Sequence, residues 1–184
     1  MNNNSKGKAL QRRNAFLATS LVVILLMIGV WLLVPSNYQL VIRDMKTKEI
    51  LWADTIEKGN RFAHRYIHSV EKSPVKEVFQ FSDMGEIRTM ESWTKSFGAG
   101  LPYQRKGEVA MEDGYYVLKN INRPIHDDVL RMKPSNLYPH TFLFQNQTIY
   151  LSEQPFVGRV IEIDVIRSSL WKSFNLNKER DRDG

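Results

Sequence analysis

Four side chains able to carry chemistry stand close together in this chain: His64, Tyr66, His68 and Glu77, within the stretch RFAHRYIHSVEKSPVKEVFQF from Arg61 to Phe81. Imidazole, phenol and carboxylate can hydrogen-bond a polar ligand, move a proton, or help to hold a metal ion. Read with period two, Phe62, His64, Tyr66 and His68 share one face of a strand, while Ala63, Arg65, Ile67 and Ser69 share the other. Glu71-Lys72-Ser73-Pro74 then reads as a turn and Val75 to Phe81 as the returning strand. A loop of those four residues predicts that Val70 pairs with Val75, His68 with Glu77, Tyr66 with Phe79 and His64 with Phe81.

A histidine opposite a carboxylate supports two readings. In one, His68 is a general base oriented by Glu77, as in a hydrolase acting on cell-envelope material. In the other, the two form a cross-strand pair that sets register and contributes about 0.2–1 kcal/mol. The plainer reading is preferred, because the rest of a hydrolase is missing. Ser69 faces away from His68, Ser73 reaches it only from the loop, and there is no G-x-S-x-G or S-x-x-K motif. A metal is not expected either: His64 and His68 lie about 13 Å apart along a strand, and a third ligand would have to come from His126 or His140. No cofactor is expected. Gly98-Ala99-Gly100-Leu101-Pro102 has the glycines of a phosphate-cradling loop, but Pro102 and strand pattern follow where a helix should begin. A tight turn or close backbone approach is the expectation there. The aromatics Tyr66, Phe79, Phe81, Trp93 and Phe97 read as core.

The elements that must position these residues are short strands. Tyr38–Asp44 and Glu49–Asp54 flank a turn at Met45 to Lys48, and Glu57 to Asn60 is the next turn. Ser82 to Gly85 leads into a strand over Glu86–Thr94. Asp113-Gly114 joins Glu108–Glu112 to Tyr115–Ile121, and is the strongest hairpin signal present. His140–Gln145 and Thr148–Leu151 flank a turn at Asn146-Gln147, and Val160–Ile166 is a last alternating strand. Asn122 to Pro139 reads as irregular, with at most one helical turn. About ten strands at this spacing predict a mainly β fold, an antiparallel β-sandwich or barrel.

Ahead of the strands, Ala15 to Val34 are twenty residues without a charge, enough to span about 30 Å as a helix. Bulky Trp31-Leu32-Leu33-Val34 ends the run where a signal peptidase needs small residues, so an uncleaved signal anchor is expected. The 26 basic and 20 acidic residues give a net charge of +6, but Lys6, Lys8, Arg12 and Arg13 supply +4 of it. Those four cations predict a cytoplasmic amino terminus, and the near-neutral remainder gives no footing for nucleic acid. With no cysteine, disulfides, thiolate metal sites and lipid attachment through cysteine are excluded. The expected organisation is a basic tail over 1–14, a transmembrane helix over 15–34 and an extracytoplasmic β-domain over 38–167. Residues 168–184 are expected to hold a short helix around Leu170, Trp171, Phe174 and Leu176 and a disordered tail.

Two motifs together carry a resemblance. His68-Ser69-Val70 with Ser73-Pro74-Val75-x-Glu77-x-Phe79, and then Gly98-Ala99-Gly100-Leu101-Pro102, resemble a small bacterial family of unknown function. Its members are exported or membrane-anchored, and their genes often lie beside tripartite TRAP transporters with a TAXI-class solute receptor. The resemblance implies service to solute uptake at the outer face of the membrane, and it implies no catalytic residues. The expectation is a membrane-anchored accessory or binding protein, with the permease or solute receptor as partner. A purely structural assembly module is the remaining alternative. His64, Tyr66, His68, Ser73, Pro74 and Glu77, with Gly98, Gly100, Leu101 and Pro102, are the candidate binding residues.

Overall fold

Apolar residues crowd the first part of the chain and alternate with polar ones in the rest, and the two patterns produce two kinds of structure. The computed structural model describes residues 3–33, 35–96 and 108–169. Asn3–Leu33 form one helix, α1. Its large apolar side chains between Phe16 and Val30 are about half to three-quarters exposed, so the head of the molecule does not cover them. Among the described residues no helix is long and apolar enough to cross a membrane.

Among the described residues the alternating part makes twelve strands. They are β1 (Pro35–Asp44), β2 (Ile50–Ile56), β3 (Arg61–Ile67), β4 (Pro74–Phe81), β5 (Ile87–Thr94) and β6 (Glu108–Glu112). Then come β7 (Tyr115–Lys119), β8 (Arg123–Pro124), β9 (Leu130–Met132), β10 (His140–Phe144), β11 (Gln147–Tyr150) and β12 (Ile161–Ser169). All pairings between them are antiparallel. A small sheet runs β2-β1-β12-β9, and a large one runs β11-β10-β3-β4-β5-β7-β6 with β8 beside β5. The fold is mainly β, as expected, and neither sheet closes into a barrel.

One core joins the sheets. Leu40, Ile42, Ile56, Ile161 and Ile163 of the small sheet meet Phe62, Phe79, Phe81, Phe142 and Phe144 of the large one. Rings bridge the gap: Tyr38 lies 4.9 Å from Phe81, and Trp52 stands edge-on to Phe142 at 5.8 Å and Phe144 at 6.1 Å. Burying each such side chain contributes about 1.5–3 kcal/mol, which is what fixes the face each strand turns inward.

Several details depart from the sequence expectation. The β3–β4 register pairs His64 with Glu77, Tyr66 with Val75 and Phe62 with Phe79, so His68 does not stand opposite Glu77. The connection is longer than four residues because His68 starts it: the His68 carbonyl accepts the Lys72 N–H at 2.8 Å, and Lys72 takes a left-handed φ of 52°. Pro74, which lacks an N–H, opens β4 instead of closing the turn. The β10–β11 turn is Gln145-Asn146, one residue earlier than expected, with Gln145 at φ 50°. The stretch from Asn122 to Pro139 holds β8, β9 and a single 3-10 turn at His126–Asp128. Ser168 and Ser169 extend β12, and the helix expected beyond them lies outside the described residues, as does Gly98 to Pro102.

On β12 of the small sheet, between β1 and β9, the buried Glu162 gathers three cations: Lys48 at 2.9 Å, Arg131 at 3.1 Å and Arg43 at 3.2 Å. The hydrogen bond from Lys48, ahead of those from Arg131 and the charge of Arg43, holds its carboxyl below the ordinary range. Glu162→Gln should lower unfolding free energy by about 2 kcal/mol in urea titrations, less than for a fully enclosed pair because the cations reach water. The loss should disappear on acidification, since a depressed carboxyl stabilises only above its unfolded pKa and is silenced as pH falls through the folded one.

Candidate functional site

On β3 the residues that alternate inward are Phe62, His64 and Tyr66, and the inner face changes character along them. Phe62 lies between Phe79 of β4 and Phe144 of β10, wholly apolar. His64 lies between Glu77 and Phe142, and Tyr66 between Val75 and His140. Continuing across the sheet, Glu77 is opposite Ser92 and Val75 opposite Thr94, and both β5 residues are buried. One end of the inner face is therefore hydrocarbon and the other is a polar cluster made of the same strands.

The rings of that cluster are stacked. His64, Tyr66 and His140 have pairwise centroid distances of 4.9, 5.1 and 5.6 Å, with interplanar angles of 13–22°. His64 Nε2 lies 3.0 Å from His140 Nδ1, so one imidazole donates its N–H and the other accepts. That bond requires two neutral rings or one cation, and burial selects the neutral pair. Desolvation, with the nearby His140 charge second, drives the His64 pKa down to about 3, and burial lowers His140 as well. Burial and then the Glu77 charge push Tyr66 up to about 12. Glu77 itself is raised by burial against the pull of Arg123.

The backbone holds His140 firmly. Its N–H donates to Ser152 Oγ at 2.7 Å, and the Ser152 hydroxyl donates on to the Ser135 carbonyl at 2.7 Å. Leu151 N–H donates to the His140 carbonyl at 3.0 Å. Such a fixed, uncharged donor–acceptor set is suited to hydrogen-bonding a polar group, and with its pKa held down by burial His64 is a weak base for taking a proton from a nucleophile.

Of the candidate residues, His64, Tyr66 and Glu77 come together. His68, Ser73 and Pro74 lie at the loop end of the hairpin. There His68 Nδ1 accepts the Glu71 N–H at 3.2 Å, and its own N–H donates to the Ser73 carbonyl. The Ser73 hydroxyl is buried without a hydrogen-bond partner among the described residues. The His68–Glu77 pairing that the hydrolase reading used is thus not formed, because β3 ends at Ile67 and the register gives Glu77 to His64. Gly98, Gly100, Leu101 and Pro102 lie outside the described residues. His126 sits exposed on the 3-10 turn, and among the described residues no group of three or more His, Asp or Glu is placed to hold a metal ion. His140 is the member that sequence reasoning considered only as a distant metal ligand. The sole local signal was its place in His140-Thr-Phe-Leu-Phe144, whose alternate His-Phe-Phe faces the Phe-His-Tyr of β3 in reverse.

No curated protein and no solved structure matches the chain. Residues 62–151, which begin in β3 and end just after β11, match a domain of unknown function (DUF1850). Apart from Arg61 at the start of β3, the matched stretch contains the described strands of the large sheet, and with them His64, Tyr66, Glu77 and His140, consistent with an uncharacterised family.

Proposed function

We propose that this protein is a single-pass, membrane-anchored accessory or binding protein, its β-sandwich head outside the bacterial cell membrane, serving a TRAP-type solute transporter through its permease or solute receptor. The observation that carries the reading is α1: large apolar side chains all round its circumference, left bare by the head. A helix apolar on every side needs a non-aqueous environment, and although no described helix is by itself long and apolar enough to cross a membrane, the sequence from Ala15 to Val34 runs for twenty residues without a charge, the length a bilayer needs. The basic residues before it favour an inside amino terminus. β1 follows within two residues of α1, so an anchored head stays close to a membrane partner and even a weak contact is occupied. A cavity of about 280 Å³ beside the β3–β4 hairpin supports binding over a purely structural module.

Extraction with gentle detergent from cells co-expressing the permease and receptor should recover the protein with one of them, and recovery of neither would count against the transporter role. Because the chain has no cysteine, Lys58→Cys in the exposed turn before β3 gives a clean topology probe. A membrane-impermeant maleimide should label it in intact cells, and labelling only after lysis would overturn the outside placement.

A further inference from the structure

The outer face of the large sheet carries a charge arrangement that its own folding does not account for. Along one transverse row, Arg65 stands opposite Lys76, Lys76 opposite Trp93, and Trp93 opposite Val117. Two cations in directly opposed positions repel and lower stability. The same face does form opposite pairs, Arg61 with Glu91 at 3.0 Å and Lys119 with Glu112 at 2.5 Å. Yet among the described residues no carboxylate lies within 4 Å of the charged groups of Arg65, Lys76 or Lys95.

These cations border a cavity of about 280 Å³ lined by Arg65, Pro74, Val75, Lys76, Trp93 and Tyr115. Its apolar wall is rigid. Trp93 Nε1 donates to Glu91 Oε2 at 2.9 Å, and Tyr115 meets the indole edge-on at 6.3 Å. Lys76 Nζ stands 5.2 Å from the Trp93 ring centre and Lys95 Nζ 4.9 Å from that of Tyr115, so the rings carry positive charge on their faces. The site therefore offers a pair of cations with no carboxylate beside them among the described residues, next to a flat apolar surface.

We propose that this cavity binds a small organic carboxylate, its anion between Arg65 and Lys76 and its apolar body against Trp93 and Pro74. A carboxylate relieves the Arg65–Lys76 repulsion and matches the planar fork of a guanidinium. The volume suits a single small molecule, near the lower end of ligand pockets. The proposal concerns the face opposite the His64 cluster, and it stands whether or not the transporter reading does.

The test is titration of the full chain in nonionic detergent with benzoate, benzamide and inorganic phosphate, followed by calorimetry and by the indole signals in NMR. Benzoate should bind saturably and shift one indole signal, and benzamide, which lacks the charge, should not. Arg65→Ala and Lys76→Ala should each weaken benzoate at least about tenfold. Both variants remove the repulsion, so their melting temperatures should hold or rise, which separates lost binding from lost folding. Absence of saturable benzoate binding, equal binding of benzamide, phosphate binding as tight as benzoate, or unaltered affinity in the two variants would each overturn the proposal.

Discussion

Between pH 7.5 and pH 4.5 the folded head should lose on the order of 3 kcal/mol of stability through His64 alone. His64 stays neutral in the folded state until about pH 3, whereas unfolded it takes a proton near pH 6.5. Across that window the unfolded chain binds the extra proton, so the stabilisation is fully present above pH 6.5 and drains away as pH falls towards 3. The groups facing His64 are Tyr66 on its own strand, His140 on β10 and Glu77 on β4, with Arg123 acting on Glu77. His140, also lowered, adds to the loss, and Tyr66 does not titrate in this range. Glu77 opposes it, because a raised carboxyl gains its proton first in the folded state and favours folding as pH drops. Urea unfolding of the full chain at several pH values, beside His64→Phe, separates these contributions. The wild type should fall more steeply than the variant, by up to about 1.4 kcal/mol per pH unit between pH 6 and 4. Parallel curves would show that His64 is not held neutral by burial.

Phe142→Ala should lower unfolding free energy by about 4 kcal/mol. Phe142 is wholly buried, 5.5 Å from the ring of Phe62 and 5.8 Å from that of Trp52 on the other sheet, so its removal empties space between the sheets. Met84→Ala, on an exposed turn, should change stability by less than about 0.5 kcal/mol and serves as the control. Because Phe142 is the cross-strand partner of His64, the space it leaves admits water beside the imidazole. The His64 pKa should then rise towards 6.5 and the acid sensitivity of the variant should flatten. A loss below about 1 kcal/mol would show that the two sheets do not depend on this shared core.

Local signals account for what was legible in the chain. The Met45 to Lys48 turn and the Asp113-Gly114 turn, with φ of 48° and 77°, are set by residues that sit within them, and both hairpins form where expected. The inward face of β3 was also legible, since period-two patterning separates Phe62, His64 and Tyr66 from Ala63 and Arg65. Its register was not. A slip by an even number of residues keeps every side chain on its proper face, so patterning alone could not distinguish His68 from His64 as the partner of Glu77. The outcome was decided by the His68–Lys72 turn and by where Pro74 could sit. His140 escaped for a different reason. It reaches His64 across 76 residues of sequence, through a β10–β3 pairing that no local motif announces. Trp93, read as core, instead stands on the outer row beside Lys76, because the irregularity between Val78 and Phe79 resets the alternation of β5 against β4.

The pairing of Pro35 with Ser169 places the two ends of the head on neighbouring strands, about 5 Å apart. A pull between α1 and whatever follows Ser169 would load the β1–β12 ladder one rung at a time from that end, like opening a zip, instead of straining all its rungs together. The head would thus yield to tension at low force. A fusion partner added after Ser169 would begin its path beside the start of β1.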